Sequence, residues 1–275
     1  MMEKEKMLVG KLRGIIENKF NVPTGENTNE LAKSMLNFIG TTDPYLRDDL
    51  IYIVFSKWIL TDIYTNEQLR NFLLITVDDD HLFYRLGEEN TDSVFTRSFS
   101  ILIIRVILLK HFEKPFLFST DFGYIKERVF QYAKNEKDIR GYVEGKGWAH
   151  SVAHLADCLD EIAKSHESNR RDLLTVLTII QERVMESMNV YTCEEDERLV
   201  TAVMSILDRK IVSNQDFISW CHRFKEYKLT GDYLLDYNIK INSKHFLRSL
   251  LYRLKQNNSE IKTEILNTLD EISTF

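Results

Sequence analysis

Between Glu136 and Glu161 the chain reads EKDIRGYVEGKGWAHSVAHLADCLDE, the densest grouping of side chains whose types and spacing could do chemistry. Three of the ten glycines, Gly141, Gly145 and Gly147, fall within seven residues and open onto a segment carrying His150, His154 and Asp157. On a helix advancing about 100° per residue, His154 lies about 40° and Asp157 about 20° from His150, with Glu161 on the same stripe. His-x-x-x-His offers two imidazoles to one divalent, zinc-like metal, and an acid one turn on supplies a third ligand. His150, His154 and Asp157 are therefore the candidate metal set. The glutamate of a zincin HExxH is missing, because Ser151 stands there, and Asp138, Glu144, Glu194 or Glu195 could join only through the fold. The competing reading is structural: both histidines hydrogen-bond Asp157, Arg140 and backbone, and so hold the glycine segment in place.

The glycines also leave two readings open. Gly141-x-x-x-Gly145-Lys146-Gly147 is one residue too short for a phosphate loop, lacks the Ser or Thr after lysine and follows no strand. Gly145 and Gly147 could still present backbone N–H groups to an anion at a helix start, with Lys146 and Arg140 adding charge. Alternatively Gly141 ends one helix in the left-handed conformation and Gly147 lets Trp148 pack, which makes a tight inter-helix turn. Upstream, Ser93, Arg97 and Ser100 share a polar stripe on a helix whose later residues, Ile101 to Leu109, must be buried. A buried Arg97 needs acidic partners, with Asp92, Asp138 and Glu144 as candidates. Arg97, Asp138, Arg140, Glu144, Lys146, Trp148, His150, His154 and Asp157 are together expected to line one ligand-binding pocket. Ser98 and Ser100 have no identifiable base, so no catalytic residue is assigned, and Cys158, Cys193 and Cys221 read as small core hydrophobes.

The elements that must position these residues are helices. Only three prolines and ten glycines, with a 44% hydrophobic fraction, leave few places to punctuate short strands. Apolar periodicity predicts helices over Lys6–Phe20, Asn29–Ile39, Tyr45–Thr61, Asn66–Thr76, Ser93–Phe112, Phe122–Asn135, Trp148–Ser165, Asn169–Met188, Glu195–Asp208, Asn214–Tyr227, Ser243–Lys255 and Ile261–Ile272. Asp43-Pro44 before Tyr45, Asp92 before Val94, and Ser213 or Asn214 with Asp216 before Phe217 act as start signals. In the helix after Gly147, Leu155, Leu159 and Ile162 form one apolar side and Ala149, Ala153 and Ala156 a small-residue flank, which leaves the histidine face open.

An acid just before or beside an arginine recurs at four expected helix starts, at Asp43/Arg47, Asp92/Arg97, Asp138/Arg140 and Asp196/Arg198. The spacing is irregular but close to the ~40–47 residue period of HEAT and armadillo arrays. The expected fold is all-α, with stacked antiparallel helical pairs in a HEAT/armadillo-like α-solenoid or right-handed α-superhelix, and with the four arginines in one row on the concave face. Residues 1–275 read as a single domain: N-terminal capping helices over 1–40, a helical-repeat body over 41–227 and C-terminal capping helices over 228–275. The stretch Lys228 to Asn242 is the least periodic part.

Four blocks match a known pattern: Asp92-Ser-Val-Phe-Thr-Arg-Ser-Phe-Ser100, Glu136 through His150, His154-Leu-Ala-Asp157 and Glu195-Asp-Glu-Arg-Leu199. On these the chain resembles a bacterial, Bacillus-like family catalogued as domain of unknown function 2785. The resemblance spans about Asp43 to Leu207 and implies a compact helical protein with these blocks in one site. It implies no activity.

Net charge −6, from 36 basic and 42 acidic residues spread along the chain, gives no basic block for a phosphate backbone, which disfavours nucleic acid as partner. The N-terminus has no signal-peptide core. The most apolar run, Phe99 to Leu109, is too short to span a membrane and contains Arg105, while the cysteines lack CxxC spacing; a cytoplasmic location is expected. The expected function is a helical-repeat protein that binds a small anionic ligand or a peptide, because the arginine row and Lys146 need a counter-charge. The alternatives are a metal-assisted hydrolase using His150 and His154, and a nucleic-acid or nucleobase enzyme of helical-repeat type.

Overall fold

The computed structural model describes residues 3–186, 188–226, 229–254 and 258–273. It divides into two compact units, Met1–Cys158 and Leu159–Phe275. Helix accounts for 69% of the chain, and the described residues contain a single two-stranded sheet. No helix among them is long and apolar enough to cross a membrane.

The first unit contains α1 (Glu3–Glu17), α2 (Thr28–Asn37), a π-helical turn (Tyr45–Tyr52) running straight into α3 (Ile53–Leu60), α4 (Asn66–Thr76), α5 (Ser93–Glu113), α6 (Ser119–Asn135), and a hairpin of β1 (Tyr142–Val143) and β2 (Gly147–Trp148). Side-chain caps fix several starts. Asn27 Oδ1 accepts from the Asn29 and Glu30 amides, and Thr65 with Gln68 forms a reciprocal capping box on α4. Helix α5 is buried nearly throughout, its polar Ser93, Arg97 and Ser100 included, as a helix at the centre of a core must be; α3 and α4 both pack on it. Phe55, Trp58, Tyr64 and Phe72 fill the neighbouring space edge to face, with ring centroids 5.0–6.0 Å apart. Trp58 Nε1 donates to Phe20 O at 2.8 Å, which satisfies its only polar atom.

Helix α7 (Ser151–Lys164) contains the boundary between the units. The second unit continues with α8 (Arg170–Val184), α9 (Glu195–Arg209), α10 (Asn214–His222) with a 3-10 turn (Arg223–Lys225), α11 (Tyr233–Arg253) and α12 (Ser259–Ser273). Of the two residues expected to start α10, Ser213 or Asn214, Ser213 is the cap and forms a capping box with Asp216. Trp220 packs against Phe224 and Phe246 and donates Nε1 to Leu177 O. The buried Asn242 acts as a clamp: its Oδ1 accepts from the Tyr191 amide, and its Nδ2 donates to the carbonyls of Glu186 and Asn189.

Helix type is as periodicity predicts, with three differences. The glycine run Gly141 to Gly147 is a β-hairpin and no inter-helix turn, and α7 therefore begins at Ser151, three residues later than expected. Residues 45–52 are π-helical, a widening that one-period reading cannot register. Helix α11 starts at Tyr233, inside the stretch of weak periodicity. The physical reason is that Tyr233 and Leu234 stand 78% and 68% exposed, so apolar residues on the solvent side blur the pattern. The expected ends Tyr227 and Lys255 lie outside the described residues.

Candidate functional site

The β1–β2 hairpin pairs Tyr142 with Trp148 and Val143 with Gly147, with Glu144 exposed at its turn. Its backbone is held from below by the π-helical turn. Arg47, wholly buried, donates Nη2 to Lys146 O at 2.8 Å and to Trp148 O at 3.4 Å, and Nη1 to Thr41 O at 2.7 Å. Its Nε lies 2.8 Å from Asp48 Oδ1, and its guanidinium sits 4.3 Å and 4.8 Å from the ring centres of Phe95 and Phe99. Arg47 and Asp48 thus pair with the outer edge of β2 as a neighbouring strand would, which closes that edge. Burial lowers the Arg47 pKa against the opposing pull of Asp48, and burial raises that of Asp48 against Arg47.

Gly147 is where hairpin and turn meet. Its φ is +78°, and a Cβ placed there would stand 2.7 Å from Pro44 Cβ and 3.2 Å from Arg47 Nη2. Gly147→Ala should therefore cost about 1–3 kcal/mol, from left-handed strain together with overpacking. Urea denaturation measures this, and an unchanged midpoint would mean the hairpin is not seated on Pro44.

Behind the hairpin lies a second hub. Arg97 is wholly buried and forms a two-point pair with Glu136, at 2.6 Å from Nε to Oε2 and 2.8 Å from Nη2 to Oε1. It also donates to Tyr84 O, Arg85 O, Glu88 O and Ser93 Oγ. Burial acts to lower the Arg97 pKa, but the hydrogen bonds and charge of Glu136 outweigh it and leave it raised. Glu136 Oε1 accepts the amides of Lys137 and Asp138 as well. Asp138 accepts from the Asn90 amide and grips Arg140 through Nε and Nη2, the shortest contact being 2.6 Å, while Arg140 Nη2 also donates to Thr91 O. The Asp138 carbonyl accepts from Ser151 Oγ. Hydrogen bonds from the Thr91 and Ser93 hydroxyls hold the Glu88 carboxyl below the usual range. Lys146 Nζ meets both oxygens of Asp92 at 2.6 Å and 2.8 Å, on the surface.

The histidines stand at the hairpin's exit. Gly141 O accepts from the amides of Ala149 and His150, so the chain turns sharply; His150 takes φ +49° and its carbonyl receives the His154 amide. His150 therefore precedes α7 instead of riding on it, which corrects the shared-stripe geometry expected from spacing. Its ring stacks on the Trp148 indole with centroids 4.2 Å apart and planes 1° from parallel. The His154 ring lies 5.5 Å from that of His150, packs edge-on against Phe99 at 5.2 Å, and makes a 3.0 Å hydrogen bond between Nδ1 and Ser98 O. His154 and Glu161 are buried and Asp157 is half-buried, so the face expected to be open is largely covered. Among the described residues no group of three or more His, Cys, Asp or Glu side chains could hold a metal ion, and His150, His154 and Asp157 form no such group.

Of the residues expected at one pocket, Arg97, Asp138 and Arg140 form a mostly buried network, Trp148, His150 and His154 form a ring stack, and Glu144 and Lys146 edge the hairpin turn. Four of the five cations expected to draw an anion have acids beside them: Arg97 has Glu136, Arg140 has Asp138, Lys146 has Asp92 and Arg47 has Asp48. Gly145 and Gly147 belong to the hairpin and not to a helix N-terminus, so the helix-start geometry on which the anion reading rested is not formed there. Sequence reading missed Asp48 and the role of Glu136; the Glu136-Lys-Asp-Ile-Arg140 run held the signal for the second. Tyr142 was also overlooked. It is 57% exposed and meets Trp148, itself 42% exposed, edge to face at 5.0 Å.

A family model described as "Protein of unknown function (DUF2785)" matches residues 82–252. No curated protein matches the chain, and no solved structure matches it.

Proposed function

The chain belongs to DUF2785, a family of unknown function that brings no activity with it, and we propose on geometry that it is a binding protein whose recognition surface is the aromatic hairpin. The observation that carries this is the stack of Tyr142, Trp148 and His150, half-exposed on a backbone pinned by Arg47, Asp48 and the close seat of Gly147. An exposed tryptophan held in one orientation loses little entropy on binding and supplies the large contact area typical of interface hot spots. Of the two ligand classes expected from sequence, a peptide is favoured over a small anion, because Arg47, Arg97, Arg140 and Lys146 each have an acid of this chain beside them. The aromatic rings offer stacking and apolar contact, while Glu144 at the turn adds an acceptor.

The same reading keeps the helices as stacked pairs of the HEAT-like kind. Supporting it, α1 packs on α3, α2 on α4 and α3 on α5 in the first unit, and α9 packs on α11 and α10 on α12 in the second. Contact between each helix and the next but one is how repeated pairs bury their apolar faces.

Panning a random peptide display library against wild type and Trp148→Ala tests the proposal. Wild type should enrich a defined motif and retain it at least tenfold better than the variant, with equal melting temperatures. Equal retention by both proteins, or no enrichment on wild type, would sink the reading.

A further inference from the structure

The two faces of the β1–β2 hairpin are unlike. Val143 packs on the buried Val94, Phe95 and Ala149, so the alternation of a strand turns Tyr142 and its partner Trp148 to the other side, where both stand exposed. Their rings meet at 77° with centroids 5.0 Å apart and bound a corner, and the parallel stack of Trp148 on His150 holds one wall of it. Among the described residues no lysine or arginine stands over either ring, whereas the Arg47 guanidinium is shared by the buried Phe95 and Phe99. The attraction of the two exposed rings for a cation is thus unused within the chain.

The charge around this corner is negative. Glu144, exposed at the turn two residues beyond Tyr142, has no ion pair among the described residues. On the β2 side the Asp48 carboxyl accepts the Trp148 amide, and the exposed Asp49 lies near enough for its charge to raise the Asp48 pKa. The cations at the hairpin are already neutralised: Arg47 is buried against Asp48, and Lys146 meets both oxygens of Asp92. Glu144 and Asp49 therefore stand uncompensated beside an aromatic corner, on a chain of net charge −6. An acidic segment is repelled by such a surface, while an arginine or lysine gains a ring face and a carboxylate together.

We infer that the peptide taken by the hairpin is basic, with an arginine or lysine side chain entering the corner of Tyr142 and Trp148 and its charged end beside Glu144. This rests on the reading of the hairpin as a peptide-binding surface and names what that surface selects.

Fluorescence anisotropy with a labelled glycine/serine peptide carrying paired arginines, against the same peptide with glutamates in their place, is the test. The arginine peptide should bind wild type at least tenfold more tightly. Trp148→Ala, which leaves the charge as it is, and Glu144→Lys, an exposed change, should each weaken that binding at least fivefold with the melting temperature unaltered. Binding that survives either substitution would reflect only the net charge of −6 and would overturn the inference. Equal binding of the two peptides, or none, would do the same. A random library that enriches on wild type and not on Trp148→Ala, but whose peptides carry no excess of arginine or lysine, would overturn the basic preference and leave the hairpin as a peptide-binding surface. No enrichment at all would remove both.

Discussion

Arg97→Ala should lower folding stability by about 3–5 kcal/mol, because it strands the Glu136 carboxylate in the core without its cation. Both partners are almost wholly buried, and the pair carries two short charge-assisted hydrogen bonds. Urea denaturation with global fitting of the midpoint gives the value. A second variant separates the ion pair from the rest of the hub. Arg97→Met combined with Glu136→Leu removes both charges, and buried pairs replaced in this way are often neutral. Here it should recover only part of the loss, since the carbonyls of Tyr84, Arg85 and Glu88 would lose their shared donor. Full recovery would mean that Arg97 serves Glu136 alone and that the segment from Tyr84 to Glu88 is held by other contacts.

Leu159→Ala should cost about 2–5 kcal/mol. The residue is completely buried on α7, together with Leu155 and Ile162, and truncation there leaves a cavity that close-packed neighbours fill only in part. Differential scanning calorimetry, with unfolding followed in urea as a cross-check, measures it. A loss below about 0.5 kcal/mol is the range of surface substitutions and would contradict the buried placement.

Leu159 shows what was legible beforehand. The spacing of Leu155, Leu159 and Ile162 is a local, periodic property, so the apolar side of α7 follows from sequence, as do the span of α4 and the start of α10 at Ser213 or Asn214. His150 shows the opposite. Spacing places it on a stripe with His154, but its left-handed backbone is set by Gly141 O, nine residues earlier, which accepts its amide and closes the hairpin. The need of Arg97 for an acid could be foreseen from the apolar run that follows it; that the acid is Glu136 could not.

The sequence by itself determined most of the helices, the starts at Asp43 and at Ser213 or Asn214, the buried run of α5 and the concentration of polar chemistry between Glu136 and Asp157. Periodicity and capping act within a few residues, and each segment carries its own record of them. Only the tertiary structure decided who partners whom. Arg47 reaches Trp148 O across 101 residues and Arg97 reaches Glu136 across 39. Nothing local distinguishes a charge bound for a ligand from one bound for an internal partner, because that choice is made by which chain segments the packed core brings together, where a buried charge must find its counter-charge. For that reason Arg47, Arg97 and Arg140, which read as part of a ligand-facing row, stand as internal ties, and the surface that Arg47 holds in place is the aromatic hairpin of Tyr142 and Trp148.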